Sequence, residues 1–298
     1  MAFVQIAITG STGLIGKALV RALRDEGLTV VRLVRRPPAA EDEIRWDPFG
    51  EVDVASLEGV DAVVHLAGAG IGDHRWTETY KRQIRDSRVE GTRTLARALA
   101  RLDRRPAVFV SASGMNYYGD TGDVAVDESA GQGTGFLADL CRDWEAAAEP
   151  AAAAGIRVVH PRSGLVLARG GGLLGRLLPL FRFGLGGRLG SGRQWMSWIS
   201  IDDHIAALRF LLHDGLSGPV NLTSPEPVTN AAFTKALGHA LHRPAPFIVP
   251  APALRIALGD FADEGALISL RVLPDRLTKA GFTFRHSAID NALTDLLG

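Results

Sequence analysis

The chain has 298 residues, of which 46% are hydrophobic, enough to bury a core in one large α/β domain or in a main domain with a smaller annex. Lysine plus arginine and aspartate plus glutamate each total 33, so the formal net charge is zero. This balance argues against a protein that binds nucleic acid or a membrane through a basic surface.

The chain contains a single cysteine, which excludes an internal disulfide and a multi-cysteine metal site and suits a reducing compartment. The N-terminal segment MAFVQIAITG lacks the basic region of a signal peptide and reads as a strand. No apolar run approaches the roughly 18 residues of a membrane-spanning helix. We therefore expect a cytoplasmic protein without a membrane segment.

Apolar, β-branched runs alternate with helical patterns through the first half of the chain. Strands are predicted at residues 4–8, 29–34, 62–66, 107–110 and 157–160, and helices most clearly at 17–26 and 92–102. The alternation predicts βαβ units and thus an α/β fold: a Rossmann-type, doubly wound parallel sheet that binds ligands at the carboxyl ends of its strands.

The composition changes near residue 161. Glycine is concentrated in residues 170–192, and proline in residues 242–252. We assign residues 1–160 to a dinucleotide-binding Rossmann domain, with later strands returning to its sheet near residues 161–168 and 218–224. Residues 169–298 are expected to form a smaller mixed α/β region on the substrate side and at the C-terminus.

The strongest motif is ITGSTGLIG at residues 8–16, which follows a strand and opens a helix. The first glycine permits a tight turn, the second lets the backbone approach a pyrophosphate, and the third allows close packing of helix and strand. The N–H groups and partial positive charge of the helix N-terminus suit the phosphates. The motif predicts a dinucleotide site made of Gly10, Ser11, Thr12, Gly13, Leu14, Ile15 and Gly16.

The second predicted strand ends in LVRRPP, which contains Val34, Arg35 and Arg36. An acidic residue here would bond the ribose 2′-OH of NAD, whereas arginine suits the 2′-phosphate of NADP. This segment therefore favours NADP(H) as the cofactor. The alternative is that both arginines are solvated surface residues.

Several blocks resemble the extended short-chain dehydrogenase/reductase superfamily: the glycine loop, HLAG, RVEGT and SAS…YYGD. LAGAGI, GFLADLCRDWE, PRSGLVLARGGG and LGGRLGSGRQWMSWISIDD are similar to its NADP-binding "epimerase family" group. The resemblance covers nearly the whole chain and implies the fold and an NADP(H) cofactor. The resemblance also implies further residues of the cofactor site, among them the first serine of the SAS block. These residues are Leu66, Ala67, Gly68, Gln83, Arg88, Ser111 and Leu167.

The superfamily generally carries a Tyr-x-x-x-Lys pair on one helix face, where the lysine lowers the tyrosine's pKa. No tyrosine of this chain has a lysine four residues later. Counting back from Glu145 places Leu137 and Cys141 at the two positions, and Arg88 replaces the superfamily's asparagine. We expect Cys141 to be a small buried hydrophobic residue and its helix to pack beside the nicotinamide without moving protons.

Of the superfamily's relay only the serine is retained, as Ser113. Tyr118 and its neighbour Tyr117 are the best remaining proton donors, unless Tyr118 belongs to a structural Tyr-Gly turn. Arg193 and Gln194, in the segment GSGRQWMSW, are candidate substrate contacts. The acidic pair in ISIDDHIAAL is interpreted as the first turn of a helix, and the histidines show no metal-ligand spacing, so no metal is expected.

These features predict an NADP(H)-binding oxidoreductase or epimerase that acts on a small polar substrate, such as a nucleotide sugar, without the usual Tyr/Lys pair. The alternative is a non-catalytic NADPH-binding sensor or partner-binding protein, because the cofactor loop is retained while the relay is dismantled. We expect a monomer or homodimer without nucleic-acid or membrane partners.

Overall fold

The structure, a computed structural model, describes residues 4–50 and 52–298; the first three residues of the N-terminal segment and Glu51 lie outside this range. The strands are β1 (Gln5–Thr9), β2 (Thr29–Val34), β3 (Glu43–Arg45), β4 (Ala62–His65), β5 (Val108–Ser111), β6 (Ser113–Gly114), β7 (Ala125–Val126), β8 (Arg157–Ser163), β9 (Leu165–Ala168), β10 (Gly187–Leu189), β11 (Trp195–Met196), β12 (Trp198–Ser200), β13 (Gly218–Leu222), β14 (Val228–Thr229), β15 (Phe247–Val249) and β16 (Arg271–Val272).

The helices are α1 (Leu14–Asp25), α2 (Glu78–Ala100), α3 (Phe136–Ala146), α4 (Glu149–Ala153), α5 (Gly172–Arg182), α6 (Ile201–His213), α7 (Asn230–Ala240), α8 (Ala251–Leu258), α9 (Asp275–Lys279) and α10 (Ile289–Leu297). Within residues 4–50 and 52–298, no helix combines the length and the hydropathy of a membrane span.

The central sheet has eight parallel strands in the order β13-β8-β5-β4-β1-β2-β3, with β6 also paired to β8. Between β1 and β4 the order reverses, which opens a crevice at the carboxyl ends of these two strands. Doubly wound sheets bind their ligands at such a switch point. The predicted Rossmann-type α/β fold is confirmed.

Alternate residues of the central strands enter two separate cores. Ile6 and Val64 pack with Leu19 on the side of α1 and α6, whereas Ala7 and Val63 belong to the core on the side of α2. Because both faces of the sheet are covered by helices, the strands are apolar at nearly every position. This explains why they are easy to recognise in the sequence.

Several element boundaries depart from the sequence expectations, and two of these departures have a clear structural reason. Helix α2 begins already at Glu78, because Thr77 caps it by accepting the backbone N–H of Tyr80 at 3.1 Å. Strand β8 continues through Pro161, which lies where its pairing with β5 has ended and its pairing with β6 has not begun. The missing N–H of proline therefore costs no hydrogen bond on that side.

Outside the main sheet, four two-stranded sheets pair β9 with β12, β10 with β15, β11 with β14 and β7 with β16. Residues 218–222 return to the edge of the main sheet as β13, whereas residues 165–168 form β9 beside it. A separate core around Trp198 and Phe233 underlies this part of the chain. Helix α6 starts as predicted, with Ser200 as its N-cap and Asp202 and Asp203 in its first turn.

Candidate functional site

The glycine loop between β1 and α1 is shaped by close backbone contacts. Gly10 has a φ of +67°, and a Cβ there would lie 2.8 Å from the carbonyl carbon of Leu66. A Cβ on Gly16 would collide with the carbonyl oxygen of Gly10. Helix α1 begins after Gly13. Because glycine has no side chain to cap the helix, the N–H groups of the first turn face the crevice without a partner inside the helix.

Thr9 and His65 join the ends of β1 and β4 beside this loop. The Thr9 hydroxyl accepts the backbone N–H groups of Leu66 at 3.1 Å and Ala67 at 3.2 Å, and lies 2.7 Å from His65 Nδ1. The hydroxyl hydrogen therefore goes to Nδ1, which assigns the proton of the ring to Nε2. Burial, with a smaller effect of Arg88, lowers the pKa of His65 to about 3, so the ring is neutral.

A cleft of about 380 Å³ extends from the glycine loop across the switch point. It brings together predicted residues from three helices, one strand and two loops that are far apart in sequence. These residues are Gly10, Gly13, Leu14, Ile15, Gly16, Leu66, Arg88, Ser113, Leu137 and Cys141.

Arg88 enters the cleft from α2 as a buried cation. Its Nη1 donates to the carbonyl oxygens of Ala69 at 2.9 Å and Ile84 at 3.2 Å, and its guanidinium lies 5.0 Å from the ring centroid of Trp144. Its Nε is buried without a hydrogen-bond partner in the described part of the chain. Burial lowers the pKa of Arg88 to about 10, which leaves it charged at neutral pH.

Ser113 connects the cleft to a buried ion pair. Its hydroxyl donates to Glu145 Oε1 at 2.6 Å, and Arg162 holds the same carboxylate through Nε at 2.8 Å and Nη2 at 2.9 Å. The ring of Tyr117 stacks on the guanidinium of Arg162, and its centroid lies 3.4 Å from Arg162 Cζ. Burial alone would lower the pKa of Arg162, but the hydrogen bonds and charge of Glu145 raise it above its ordinary value.

The Tyr118 hydroxyl lies behind this ion pair and is absent from the cleft lining. It donates to Asn221 Oδ1 at 2.8 Å and accepts from Arg162 Nη1 at 3.0 Å. Burial raises the pKa of Tyr118 to about 12. The residue ends a short 3-10 helix, Met115–Tyr118, followed by Gly119 with a φ of +61°, the geometry of a turn.

Helix α3 forms the opposite wall, with Leu137 and Cys141 buried on one face. Burial raises the pKa of the Cys141 thiol to about 12. The Glu264 carboxylate caps the helix by accepting the N–H groups of Phe136 at 3.0 Å and Leu137 at 2.8 Å. The helix therefore shapes the cleft with an apolar wall, and its cysteine is protonated at neutral pH.

One histidine, His204 of α6, also lines the cleft. Its Nε2 lies 2.9 Å from the Ser163 hydroxyl, and burial lowers its pKa to about 4. It is therefore neutral at physiological pH and adds no charge to the cleft.

Comparison with known proteins identifies the family. The sequence model of the NAD dependent epimerase/dehydratase family matches residues 6–222. The chain belongs to this family. A second model, a domain of unknown function, matches residues 249–296.

Members of the epimerase family with high similarity cover nearly the whole chain. Epimerase family protein Mb2239 of Mycobacterium bovis is 52% identical over 295 residues, which are 98% of this chain and 97% of that protein. The solved structure of human epimerase family protein SDR39U1 (isoform 2) with NADPH is 33% identical with a TM-score of 0.90, covering 98% of this chain and 99% of that one. A nucleoside-diphosphate sugar epimerase from Corynebacterium glutamicum is 37% identical with a TM-score of 0.84, covering 100% of this chain and 59% of that one.

In this epimerase-family chain, Arg35 and Arg36 differ in their surroundings. Arg36 binds the Glu43 carboxylate through Nη1 at 2.7 Å and Nη2 at 2.6 Å. Arg35 is exposed and has no ion pair or hydrogen bond with any described residue. Val34 before them is buried at the end of β2, and Ser11 and Thr12 line a neighbouring surface pocket with Arg24 and Arg32.

Other residues predicted for the cofactor site surround the cleft without lining it. Gly68 packs on Arg88, since a Cβ there would lie 3.1 Å from its Cζ, and Ser111 is fully buried at the end of β5. Gln83 lies on the exposed side of α2. Leu167 is fully buried in the core around Trp198, and its neighbour Val166 is the residue of β9 that lines the cleft.

The two candidate substrate residues also lie outside the cleft lining. Arg193 is exposed, whereas Gln194 is buried and its Nε2 donates to the carbonyl oxygen of Leu189 at 3.1 Å. A second bond from Gln194 Nε2 to the carbonyl oxygen of Ala266, at 3.4 Å, connects this segment to a distant part of the backbone, whereas Arg193 is exposed to solvent.

Sequence reasoning missed Glu145 and Arg162 as parts of the site. Glu145 follows Cys141 by one helical turn, so its presence on the same face of α3 was available from the spacing. Arg162 lies in β8 next to Pro161, and no local pattern connects it with a glutamate 17 residues earlier. Only the tertiary structure brings these residues to Ser113.

Proposed function

We propose that this epimerase-family chain is an NADP(H)-binding oxidoreductase or epimerase that acts on a small polar substrate without a Tyr/Lys pair. The observation that carries the proposal is one cleft, at the switch point of the sheet, lined by the glycine loop, Arg88 and Ser113. The similarity to human SDR39U1, whose structure contains NADPH, supports the choice of cofactor.

The residues present fit a dinucleotide phosphate. The first-turn N–H groups of α1 would hold the pyrophosphate, because the glycines leave no side chain between it and the backbone. Strand β2 ends next to β1, so the exposed guanidinium of Arg35 would reach the adenosine 2′-phosphate. Leu66 and Arg88 would contact the cofactor from the β4 side.

When bound, the nicotinamide would supply or accept hydride at its C4 position. The chain's own contribution is to orient the substrate oxygen. Since the Ser113 hydroxyl donates its hydrogen to Glu145, only its lone pairs remain for the cleft. They would accept a hydrogen bond from a substrate hydroxyl or, in the direction of reduction, from the product alcohol after it has taken a proton from water. Ser113 is then the catalytic residue, and Glu145 and Arg162 are positioning residues.

We prefer Ser113 to Tyr118 for this role. The Tyr118 hydroxyl is already bonded to Arg162 and Asn221, and its pKa is raised to about 12 by burial. A general acid or base works best with a pKa near the operating pH, and its loss costs about 10²–10⁴-fold in rate. A substrate that needs little proton transfer would suit this site best.

A non-catalytic NADPH sensor is the second candidate function. It is favoured by the cleft's titratable groups, whose pKa values lie far from neutrality: about 10 for Arg88, about 12 for Cys141 and about 4 for His204. Such a lining can bind a cofactor but offers no group poised to exchange a proton at pH 7.

Transfer of tritium from C4-labelled NADPH to a metabolite extract separates the two functions. Both stereospecific labels are incubated with the full chain and with Gly16→Ala, in which the new Cβ meets the Gly10 carbonyl oxygen. Label appearing in a product only with the wild type supports the oxidoreductase or epimerase. NADPH binding without transfer from either label contradicts the oxidoreductase. It leaves the sensor or an epimerase, because an epimerase returns to its substrate the hydride that it removed.

A further inference from the structure

Arg88 gives the cleft an uncompensated positive charge. It is the only formally charged side chain among the described residues that line the cleft, and no described carboxylate lies within ion-pair distance of it. The Glu145 carboxylate of α3 is already neutralised by two hydrogen bonds from Arg162. The backbone carbonyls of Ala69 and Ile84 solvate the guanidinium but do not cancel its charge.

The charge lies on the side of the switch point away from β2. Arg88 contacts Gly68 and Ala69, which follow β4, and stacks on Trp144 of α3. A dinucleotide whose pyrophosphate rests on α1 and whose adenosine lies toward β2 extends its other half over β4 and β5. The nicotinamide would therefore share this part of the cleft with Arg88.

We propose that Arg88 makes the cleft selective for reduced over oxidised cofactor. This inference rests on the proposed NADP(H) binding and specifies which redox form the same site prefers. The oxidised nicotinamide ring carries a positive charge and the reduced ring is neutral, whereas the rest of the molecule is identical. In a site of low dielectric the guanidinium repels the oxidised ring and leaves the reduced ring unaffected.

The selectivity has a consequence for either function. If NADPH binds about tenfold more tightly than NADP⁺, the reduction potential of the bound NADP⁺/NADPH couple rises by about 30 mV, which favours the reduced form. An oxidoreductase would then hold NADPH ready in a mixed pool, and a sensor would respond to the ratio of the two forms.

Isothermal titration calorimetry of the full chain with NADPH, NADP⁺ and 2′-phospho-ADP-ribose tests the proposal. The last ligand lacks the nicotinamide and reports on the phosphates alone. The neutral variants Arg88→Met and Arg88→Gln are compared with Arg88→Lys, which keeps the charge. Arg157→Met is the matched control, because Arg157 also donates to backbone carbonyls, those of Leu211 and Leu212, but lies outside the cleft lining.

The expected wild-type result is a dissociation constant for NADP⁺ at least about tenfold above that for NADPH. In both neutral variants the ratio of the NADP⁺ to the NADPH dissociation constant should fall to within about threefold of unity, mainly because NADP⁺ binds more tightly. In Arg88→Lys and Arg157→Met this ratio should stay at the wild-type value. The affinity for 2′-phospho-ADP-ribose should change little.

Equal wild-type affinities for NADPH and NADP⁺ would overturn the inference, even if no variant folds. A similar loss of affinity for all three ligands in the neutral variants would overturn the inference as well, because it would show that Arg88 binds the phosphates that the three ligands share. In both cases the proposed NADP(H) binding survives. Absence of binding by the wild type would instead refute the proposed function together with the inference.

Discussion

A single hydroxyl, that of Ser113, links the cleft to the buried pair of Glu145 and Arg162. The 2.6 Å hydrogen bond to Glu145 fixes the direction of the Ser113 hydrogen, and Arg162 fixes the carboxylate in turn. Residues that act as one unit lose function together, and their single and combined substitutions are far from additive.

Glu145→Gln should reduce tritium transfer from NADPH by about 10–100-fold, because the neutral amide offers one oxygen to the three donors of Ser113 and Arg162 and no longer fixes the serine hydroxyl. Ser113→Ala should have a similar effect, and the double variant should lose little more than either single one. The affinity for NADPH should stay within about twofold, since neither group is assigned to cofactor binding. Glu149→Gln, an exposed glutamate of α4, is the control. Additive losses would argue that Glu145 acts independently of Ser113.

Arg35→Ser should weaken NADPH binding by about 10–100-fold and leave NADH binding unchanged, because one charge-assisted contact to the 2′-phosphate is lost. Arg36→Ser should have a smaller effect, since Arg36 is already held by Glu43. Arg101→Ser, at the end of α2, is a control for loss of one exposed positive charge. Calorimetric titration measures all three, and an equal loss of NADPH and NADH would exclude 2′-phosphate recognition by Arg35.

At the scale of elements, local patterns predict what local forces determine. Strand β2 has the predicted bounds, Thr29–Val34, because a β-branched run buried on both faces is unambiguous. The glycine loop is equally easy to predict, because a side chain on any of its three glycines would approach nearby backbone atoms. The start of α2 was missed because its first turns are polar, and the cap of α3 because it comes from Glu264, more than 120 residues away in sequence.

The same distinction holds for the candidate site. Arg88, Ser113 and the apolar pair on α3 were predicted from motif positions and do line one cleft. Glu145 and Arg162 carry no motif, and their role depends on a contact between α3 and β8 that the sequence does not encode locally.

Glu264→Ala should lower the free energy of unfolding by about 1–2 kcal/mol, because two N–H groups at the start of α3 lose their acceptor. Asp263→Ala is the matched control, since the adjacent carboxylate forms only an exposed ion pair with Arg255. Urea denaturation measures both variants. If the two lose the same stability, Glu264 contributes no more than a surface charge.

At the scale of the whole molecule, two buried histidines are neutral: His204 lines the cleft, and His65 contacts Thr9 beside the glycine loop. His65 and His204 have pKa values lowered from 6.5 to about 3 and about 4, chiefly by burial. Between these values and 6.5 the unfolded chain binds more protons than the folded one. Their contribution to stability is therefore complete above pH 6.5 and is lost progressively as the pH falls toward 4.

The free energy of unfolding should accordingly drop by about 2 kcal/mol per histidine between pH 8 and pH 5. His204→Gln, which can still bond to Ser163, should remove about half of this loss, whereas exposed His239→Gln should leave it unchanged. Urea denaturation at the two pH values measures the difference. A His204→Gln variant with the full wild-type pH dependence would show that folding does not lower the pKa of His204.

The central claim is that one cleft at the switch point holds the cofactor with its nicotinamide beside Ser113 and Arg88. A crystal structure of the full chain with NADPH tests it most directly. We expect the pyrophosphate on the N–H groups that follow Gly13, the 2′-phosphate at Arg35, and the nicotinamide C4 facing open space next to the Ser113 hydroxyl. A nicotinamide bound outside the cleft, or one whose C4 is sealed by protein atoms, would contradict the claim.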